Sequence, residues 1–166
     1  MKSDVRKIVT AAMFTALTCV ATMIVIWVPF KGYINLGDCV VLLSGWLLSP
    51  LYGSLSAGIG AMLADVILGY AVYAPATFVI KGLMALVAYF TYKLFHCKIG
   101  SMASRVIGGV IAEVIMVAGY YMFEGFMYGF VPSVANVPFN AIQGAAGLIV
   151  GLILVKLFEK TKIKFN

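Results

Sequence analysis

Charge is scarce in this chain, and its scarcity excludes most classes of soluble protein. Only 11% of the 166 residues are charged, whereas 63% are hydrophobic. Soluble domains contain about 25% charged and about 45–50% apolar residues, and a water-soluble fold of this length has too little interior to bury the excess. The same hydrophobicity excludes intrinsic disorder. The composition therefore predicts an integral membrane protein of about one domain.

Metal ligands and catalytic motifs are also few. The three cysteines, Cys19, Cys39 and Cys97, and the one histidine, His96, show no spacing typical of a zinc, haem or iron–sulfur site. The sequence contains no Gly-rich phosphate loop, no HExxH, no Gly-x-Ser-x-Gly and no CxxC motif. We therefore expect no bound metal, no cofactor, no ATPase activity and no enzymatic function.

The long apolar runs predict an all-α, polytopic membrane protein in which a single transmembrane domain spans residues 1–166. A helix that crosses about 30 Å of hydrocarbon needs about 20 residues. Six segments fit helices, and the second is too short for a full span because Pro50 interrupts it. The predicted helices cover residues 8–28, 37–49, 51–70, 76–95, 104–123 and 137–158, with a loop at 30–36 and another at 125–136.

Basic residues set the predicted orientation. The net charge of +6 comes from 12 basic and 6 acidic residues, and the bases lie at the edges of apolar runs, which indicates membrane orientation rather than a nucleic-acid partner. With both termini in the cytoplasm, only Lys31 and Lys81 fall on the outer half, as the positive-inside rule requires. The bases predicted to lie inside are Lys2, Arg6, Lys7, Lys93, Lys98, Arg105, Lys156, Lys160, Lys162 and Lys164.

Ionisable groups within the predicted spans need an explanation, because each costs about 3 kcal/mol or more on insertion scales. Asp65 and Lys81 flank the turn between helices 3 and 4 at similar depth, so they could form an ion pair, line a polar cavity, or do both. Glu113 and Glu124 share one face of helix 5 with Tyr120. Two carboxylates on one face predict that this face points into the bundle.

Amides and aromatic residues concentrate in the outer half. Asn136, Asn140 and Gln143 follow one another at spacings of four and three on helix 6, which suits either interhelical hydrogen bonds or a solute site. Aromatic side chains from Tyr70 to Phe139 gather at the same depth, where an interfacial belt is also expected. Together these residue types describe a pocket for a flat heterocycle.

Small residues four apart let helix backbones approach closely. Ala12 and Ala16 form such a pair near the inner end of helix 1. This pair either packs within the bundle or provides a docking surface for a partner helix, and the spacing alone does not separate the two.

Several segments resemble those of substrate-binding S components of energy-coupling factor (ECF) vitamin transporters. The first helix holds an AxxxA motif like the coupling motif of that family. The other matching segments enter helix 2, connect helices 3 and 4, and begin helix 6. The segments, in chain order, are Ala12-Met-Phe-Thr-Ala16, Asn35-Leu-Gly-Asp38, Tyr73-Ala-Pro75 with Phe78-Val-Ile-Lys81-Gly82, and Pro138-Phe-Asn140-Ala-Ile-Gln143-Gly144.

The resemblance covers almost the whole chain and is closest to the riboflavin, hydroxymethylpyrimidine and pyridoxine branch. It implies a six-helix bundle in a prokaryotic cell membrane that binds one vitamin or vitamin precursor near the outer face. It also implies a membrane coupling protein, EcfT, and two cytosolic ATPases, EcfA and EcfA′, as partners, with Ala12 and Ala16 as the docking residues. The tryptophan-rich loop expected of a thiamine binder is absent.

Seven residues are the candidates for ligand binding: Asn35, Asp38, Lys81, Tyr120, Glu124, Asn140 and Gln143. Two other functions stay open on the sequence alone. One is a small membrane-embedded enzyme that uses Glu113 and Asp65 as acid and base. The other is an assembly subunit of a membrane complex that binds no ligand.

Overall fold

The computed structural model describes residues 2–27 and 33–161, so Lys31, Lys162 and Lys164 lie outside the described residues. Helix α1 leads into a short antiparallel hairpin, and helices occupy most of the remaining chain. The elements are α1 (Lys2–Met23), β1 (Val25–Trp27), β2 (Tyr33–Asn35), α2 (Gly37–Leu47), α3 (Pro50–Ile67), α4 (Ala74–Ile99), α5 (Ser101–Tyr128), α6 (Phe130–Ser133), a 3₁₀ turn (Val134–Asn136) and α7 (Val137–Lys160).

The predicted all-α membrane fold with six helices and a short second helix is confirmed. Five helical segments of the described chain are long and apolar enough to cross a membrane. Prolines at the first turns of α3, α4 and α7 suit these helix starts, since the missing N–H has no intrahelical acceptor there. Gly100, with φ at 88°, connects α4 to α5 by a turn in the left-handed region that favours glycine.

The eleven-residue helix α2 forms the centre of the bundle. Ten of its residues, from Gly37 to Trp46, are buried, and it packs against α1, α3, α4 and α7. A helix that is apolar around its whole circumference is expected in such a position. The helix that the sequence predicted to be cut short before Pro50 is therefore α2, which lies at the centre of the bundle and does not face lipid.

Glycines allow the helices around α2 to approach closely. A Cβ atom on Gly45 of α2 would lie 2.5 Å from the backbone oxygen of Ala85 on α4. On α3, Gly60 has the same relation to the backbone oxygen of Thr15 on α1, and Ser56 Oγ donates a 2.9 Å hydrogen bond to the backbone oxygen of Ala11. These small residues therefore act as internal packing positions.

The sequence prediction was wrong in two connecting segments. Residues 25–27, predicted as the end of helix 1, form β1, which pairs with β2 in the register Val25↔Asn35 and Ile26↔Ile34. β-branched residues shortly before a proline in the sequence favour extended backbone, but the hydrophobicity of residues 25–27 predicted continuation of the helix. The segment 125–136, predicted as a loop, instead contains the end of α5, the one-turn helix α6 and the 3₁₀ turn.

A buried ion pair joins α2 to α4. The Lys81 ammonium donates to Asp38 Oδ1, and the two side chains are only 1% and 0% exposed. Of the two roles that the sequence left open for Asp65 and Lys81, the ion pair between them is not formed, because Asp38 supplies the counter-charge of Lys81, whereas both side chains line one cavity. Taking a single charge out of water costs several kcal/mol, so each member of this pair requires the other.

Removing one member of the pair should strongly destabilise the protein. Asp38→Asn leaves the Lys81 ammonium buried without a counter-charge, and Lys81→Met leaves the carboxylate in the same condition, at a cost of about 3–5 kcal/mol each. The double variant removes both charges and should lose much less than the sum of the two. Thermal unfolding of the purified proteins in detergent measures the three losses. Additive losses would contradict the coupling of the two residues.

Candidate functional site

A cavity of about 590 Å³, which includes its open mouth, lies among the helix ends on the predicted outer side. Its lining comes from the C-terminal ends of α1, α3 and α5, from the N-terminal ends of α4 and α7, and from β2 and the 3₁₀ turn. Polar and aromatic side chains alternate over its wall. The lining residues are Thr22, Ile34, Asn35, Asp65, Tyr70, Tyr73, Thr77, Lys81, Tyr120, Glu124, Asn136, Phe139, Asn140 and Gln143.

Gln143 joins the ion pair to the hairpin. Its Nε2 donates a 2.6 Å hydrogen bond to Asp38 Oδ2, while its Oε1 accepts from the backbone N–H and the side-chain Nδ2 of Asn35 at 3.0 and 3.3 Å. Asn35 Oδ1 in turn accepts from the Gly37 N–H at 2.8 Å. Four segments of the chain, α2, α4, α7 and β2, are thereby connected through one polar network that forms the inner wall of the cavity.

The hairpin explains how Asn35 reaches this network. Strand β2 ends at Asn35 and α2 begins at Gly37, so the chain turns sharply between them. A Cβ on Gly37 would collide with Thr22 Oγ1 and would lie 2.8 Å from Asn35 Oδ1. Glycine at this position therefore lets α1, β2 and α2 meet at the cavity.

A second group of contacts forms the wall nearer the mouth. Glu124 accepts hydrogen bonds from Asn136 Nδ2 at 3.0 Å and from the Tyr73 hydroxyl at 3.4 Å. The Tyr73 ring packs edge-on against Phe123, with centroids 5.2 Å apart. The buried carboxylate is thus held by two donors, one from the start of α4 and one from the start of α7.

Tyr120 connects the two parts of the wall. Its hydroxyl lies 3.0 Å from Thr77 Oγ1, and the Lys81 ammonium lies 5.4 Å from the centroid of its ring. This distance is suitable for a cation–π interaction. The ring is therefore fixed in place with one face toward the ammonium.

Six of the seven sequence candidates line this one cavity: Asn35, Lys81, Tyr120, Glu124, Asn140 and Gln143. The seventh, Asp38, is fully buried behind Lys81 and Gln143. Asn140 is half-buried in the wall, and in the described part of the chain its amide makes no hydrogen bond. Most of the candidates therefore contact one another, whereas the Asn140 amide forms no hydrogen bond within the described chain.

Thr22, Ile34 and Thr77 line the cavity but were not among the sequence candidates. Thr22 is 2% exposed, and its Oγ1 has no hydrogen-bond partner in residues 2–27 and 33–161. The positions of Thr18 and Thr22 on the buried side of α1, four residues apart, are the signal that could have identified it. Ile34 could not have been found, because the hairpin itself was missed.

Glu113 lies outside this cavity. The middle of α5 and the first half of α7 border a separate, mostly apolar open groove of about 1160 Å³, which includes the space open to its surroundings, and Glu113 and Val117 line it. Glu113 is 7% exposed and packs against Gly144, whose added Cβ would lie 2.8 Å from its Oε2. By helix rise, Glu113 lies about 10 Å farther than Tyr120 from the cavity end of α5. Because Asp65 lines the cavity and Glu113 lines the groove, the acid–base pair that the enzyme alternative needs is not brought together.

The sequence similarity to known proteins extends over nearly the whole chain. The profile of the family described as "ECF-type riboflavin transporter, S component" matches residues 2–160. An uncharacterised protein of Pyrococcus woesei is 32% identical over 137 residues, which are 82% of this chain and 89% of that protein. The thiamine precursor transporter HmpT of Lactococcus lactis subsp. cremoris is 25% identical over 165 residues, which are 96% of this chain and 92% of that protein.

The fold has a close counterpart among solved structures. The S component of a bacterial ECF transporter superposes with a TM-score of 0.77 at 25% identity, covering 96% of this chain and 99% of the other. The resemblance drawn from the sequence is confirmed by the family profile and by this structure. The chain is a membrane transport protein and belongs to the family of ECF-type riboflavin transporter S components.

Proposed function

We propose that the outer cavity captures one small vitamin or vitamin precursor, a flat heterocycle, for uptake by an ECF-type importer. The observation that carries this proposal is the cavity itself, whose wall combines aromatic rings, amides and carboxylates. Pockets with apolar or aromatic walls and a few convergent polar groups are typical of small-molecule sites. Membership of the S component family supports the same function.

The lining residues suggest two kinds of role. Asn35, Asp38 and Gln143 use their polar atoms mainly on one another, so we propose that they hold the inner wall rigid. Asn140 and Thr22 carry polar groups without partners in the described chain, so we propose that these contact the ligand directly. Tyr120 offers an aromatic ring for stacking, because its position is fixed by Thr77.

The candidate ligands follow from the relatives. The name of the matching family includes riboflavin, and the name of the relative HmpT includes a thiamine precursor. The sequence resemblance adds pyridoxine and hydroxymethylpyrimidine. All are heterocycles with hydroxyl or amino groups that suit aromatic stacking and amide hydrogen bonds. Mass spectrometry of the protein purified in detergent would identify a co-purifying compound.

Removing the available amide should weaken binding without unfolding the protein. Leaving a buried ligand group without its hydrogen-bond partner costs about 1–3 kcal/mol of binding free energy. The Asn140→Ala variant should therefore raise the Kd of whichever vitamin binds by about tenfold. Isothermal titration measures this change. Ile142→Ala is the matched control, because Ile142 lies two residues away on α7 and is 59% exposed outside the cavity. An unchanged Kd in Asn140→Ala would place the ligand elsewhere.

We also propose that Ala12 and Ala16 dock the protein to the coupling protein EcfT, which joins it to the ATPases EcfA and EcfA′. Both alanines are exposed on α1, whereas Phe14 and Thr18 on the same helix are buried against the bundle. A pair of exposed alanines leaves room for the close approach of another helix. The chain contains no nucleotide-binding motif of its own, so uptake requires an external ATPase.

Large side chains at the two alanines should separate docking from ligand binding. The double variant Ala12→Trp, Ala16→Trp should keep its ligand affinity, because neither residue lies in the bundle interior or at the cavity. It should fail to co-purify with the coupling protein, and vitamin uptake by cells should stop. The control Ile149→Trp, Ile153→Trp has the same spacing on exposed positions of α7 and should leave uptake intact. Normal uptake by the first variant would contradict the docking role.

The proposed orientation places the cavity mouth outside a prokaryotic cell membrane and both termini inside. The basic residues at the α4–α5 connection support it, since this connection lies at the opposite end of the bundle from the cavity. Cys97 at that end is exposed, while Val131, at the cavity end, is 87% exposed.

Thiol labelling of intact cells tests this orientation. A membrane-impermeant maleimide should label Val131→Cys from outside but should not label the parent protein. After permeabilisation the parent protein should become labelled, and Cys97→Ala should lose that signal. Labelling of Cys97 in intact cells would contradict the proposed orientation.

A further inference from the structure

We propose that the end of α5 and the one-turn helix α6 lie in the lipid headgroup layer of the leaflet on the cavity side, and that they anchor the cavity mouth to the membrane surface. The partner of this surface is therefore lipid. The inference uses only the membrane-spanning fold, so it does not depend on which ligand the cavity binds.

Large apolar side chains are exposed around the end of α5 and along α6. Phe126 and Val131 are 76% and 87% exposed. Six such residues form what we call the mouth patch: Phe126, Met127, Tyr128, Phe130, Val131 and Val134. The segment 125–136 that carries them contains no charged residue, whereas Lys93, Lys98 and Arg105 lie around the connection between α4 and α5. An exposed apolar patch marks an interaction surface, so the mouth patch needs an occupant.

The length of α5 places the mouth patch at the depth of the headgroups. The helix has 28 residues, which is about 42 Å and exceeds the hydrocarbon core of about 30 Å. Near its start, Arg105 pairs with Glu159, and such charges belong at a membrane boundary. About 20 residues farther along, the helix reaches the opposite boundary near Gly125. Phe126 and the residues that follow it therefore lie just beyond the hydrocarbon.

The mouth patch continues the lipid-facing side of α5. Val114, Ala118, Met122 and Phe126 are all exposed and follow one another at spacings of four, so they lie along one side of the helix. Val114 and Ala118 lie in the middle of this membrane-spanning helix, where lipid chains are the surroundings. The same surface reaches the patch without a break, and this continuity favours lipid as the occupant over a second protein.

Helix α6 packs back onto the end of α5. Gly129, with φ at 95°, makes the turn between them. The ring of Phe130 then lies with its centroid 5.8 Å from that of Tyr121 and 5.5 Å from that of Phe126. A Cβ atom on Gly125 would lie 2.4 Å from the Phe130 ring. Close aromatic packing therefore holds α6 against α5, at the depth that the length of α5 sets.

Several polar groups of this segment are bonded within the chain. The backbone N–H groups of Gly129 and Ser133 donate to the carbonyl oxygens of Gly125 and Gly129 at 3.0 and 3.3 Å. The Ser133 hydroxyl donates to the Gly129 oxygen at 2.7 Å. Backbone groups that are already bonded can enter surroundings with little water, and aromatic residues such as Tyr128 are enriched at the membrane interface.

The anchored segment leads directly into the cavity wall. Asn136 ends the 3₁₀ turn that follows α6, and its Nδ2 donates to Glu124 at 3.0 Å. Both residues line the cavity. An anchor in the headgroup layer thus keeps the cavity mouth at the boundary between lipid and water.

Spin labels measure the depth of the mouth patch. Phe126→Cys, Val131→Cys and Val134→Cys are made singly in a Cys19→Ala, Cys97→Ala background, in which the remaining Cys39 is buried. The labelled proteins are reconstituted in vesicles of phosphatidylcholine and phosphatidylglycerol. Collision of each nitroxide with oxygen, which concentrates in hydrocarbon, is compared with its collision with a nickel chelate, which stays in water.

Two reference positions calibrate the measurement. Ile149→Cys lies on the exposed side of α7 at mid-membrane, and Thr161→Cys lies at the exposed end of the same helix. Labels in the mouth patch should give a depth between these two. The headgroup layer contains water, so a cysteine at Val131 still reacts with a water-soluble maleimide.

Three results would overturn the inference. Nickel collision as frequent as at Thr161→Cys would place the patch in water. A depth equal to that of Ile149→Cys would place it in the hydrocarbon core. Infrequent collision with both reagents would show that protein, such as a second copy of this chain, covers the patch.

A polar variant tests whether the patch itself sets this depth. In Phe126→Ser, Val134→Ser, two exposed apolar side chains are lost, so a nitroxide at Val131→Cys should shift toward the water side. Ile142→Ser, Ile149→Ser changes two exposed positions on α7 and is the matched control, which should leave the depth of that nitroxide unchanged. If the patch variant elutes as folded protein and keeps the parent depth, the anchoring role is wrong.

Discussion

The ion pair between Asp38 and Lys81 is the interaction on which the cavity depends. Both side chains are almost completely buried, so neither charge can be compensated by water. An isolated ammonium group at this depth would cost several kcal/mol, and so would an isolated carboxylate. The short helix α2 must therefore stay beside α4, and because Gln143 also bonds to Asp38, α7 is held at the same point. The hairpin is attached in turn through Asn35.

The network gives the cavity a rigid inner wall. The wall near the mouth is held by a separate group of contacts. Inner-wall polar atoms are largely satisfied by one another, so they resist rearrangement when a ligand arrives. Near the mouth, Glu124 is held by Tyr73 and Asn136, which belong to the connecting segments before α4 and α7. Preorganised polar groups reduce the ordering cost of binding. Affinity for the proposed heterocycle thus has a physical basis in the hydrogen bonds that hold the walls of the site in place.

Much of the architecture could be predicted from the sequence because membrane spans leave a strong signal in hydropathy and charge. Asn140 and Gln143 could be assigned to one face of a helix from their spacing alone. The partner of Lys81 could not, because depth along a helix does not fix which neighbouring helix supplies the counter-charge. Residues 25–27 were misassigned because an apolar strand and the end of an apolar helix have the same hydrophobicity. Thr22 could have been found from its helical spacing with Thr18, since both are buried on the same side of α1.

Helix α1 brings the proposed ligand site and the proposed docking surface onto one rigid element. Thr22 lies at the cavity on the buried side of the helix, while Ala12 and Ala16 lie on its exposed side. Ten residues separate Ala12 from Thr22, which is about 15 Å of helix. Along this stretch Phe14, Thr18 and Thr22 are all buried, so the inner side of α1 is fixed by packing. Because a continuous helix transmits displacement along its axis, any movement of α1 at Thr22 would also move Ala12 and Ala16.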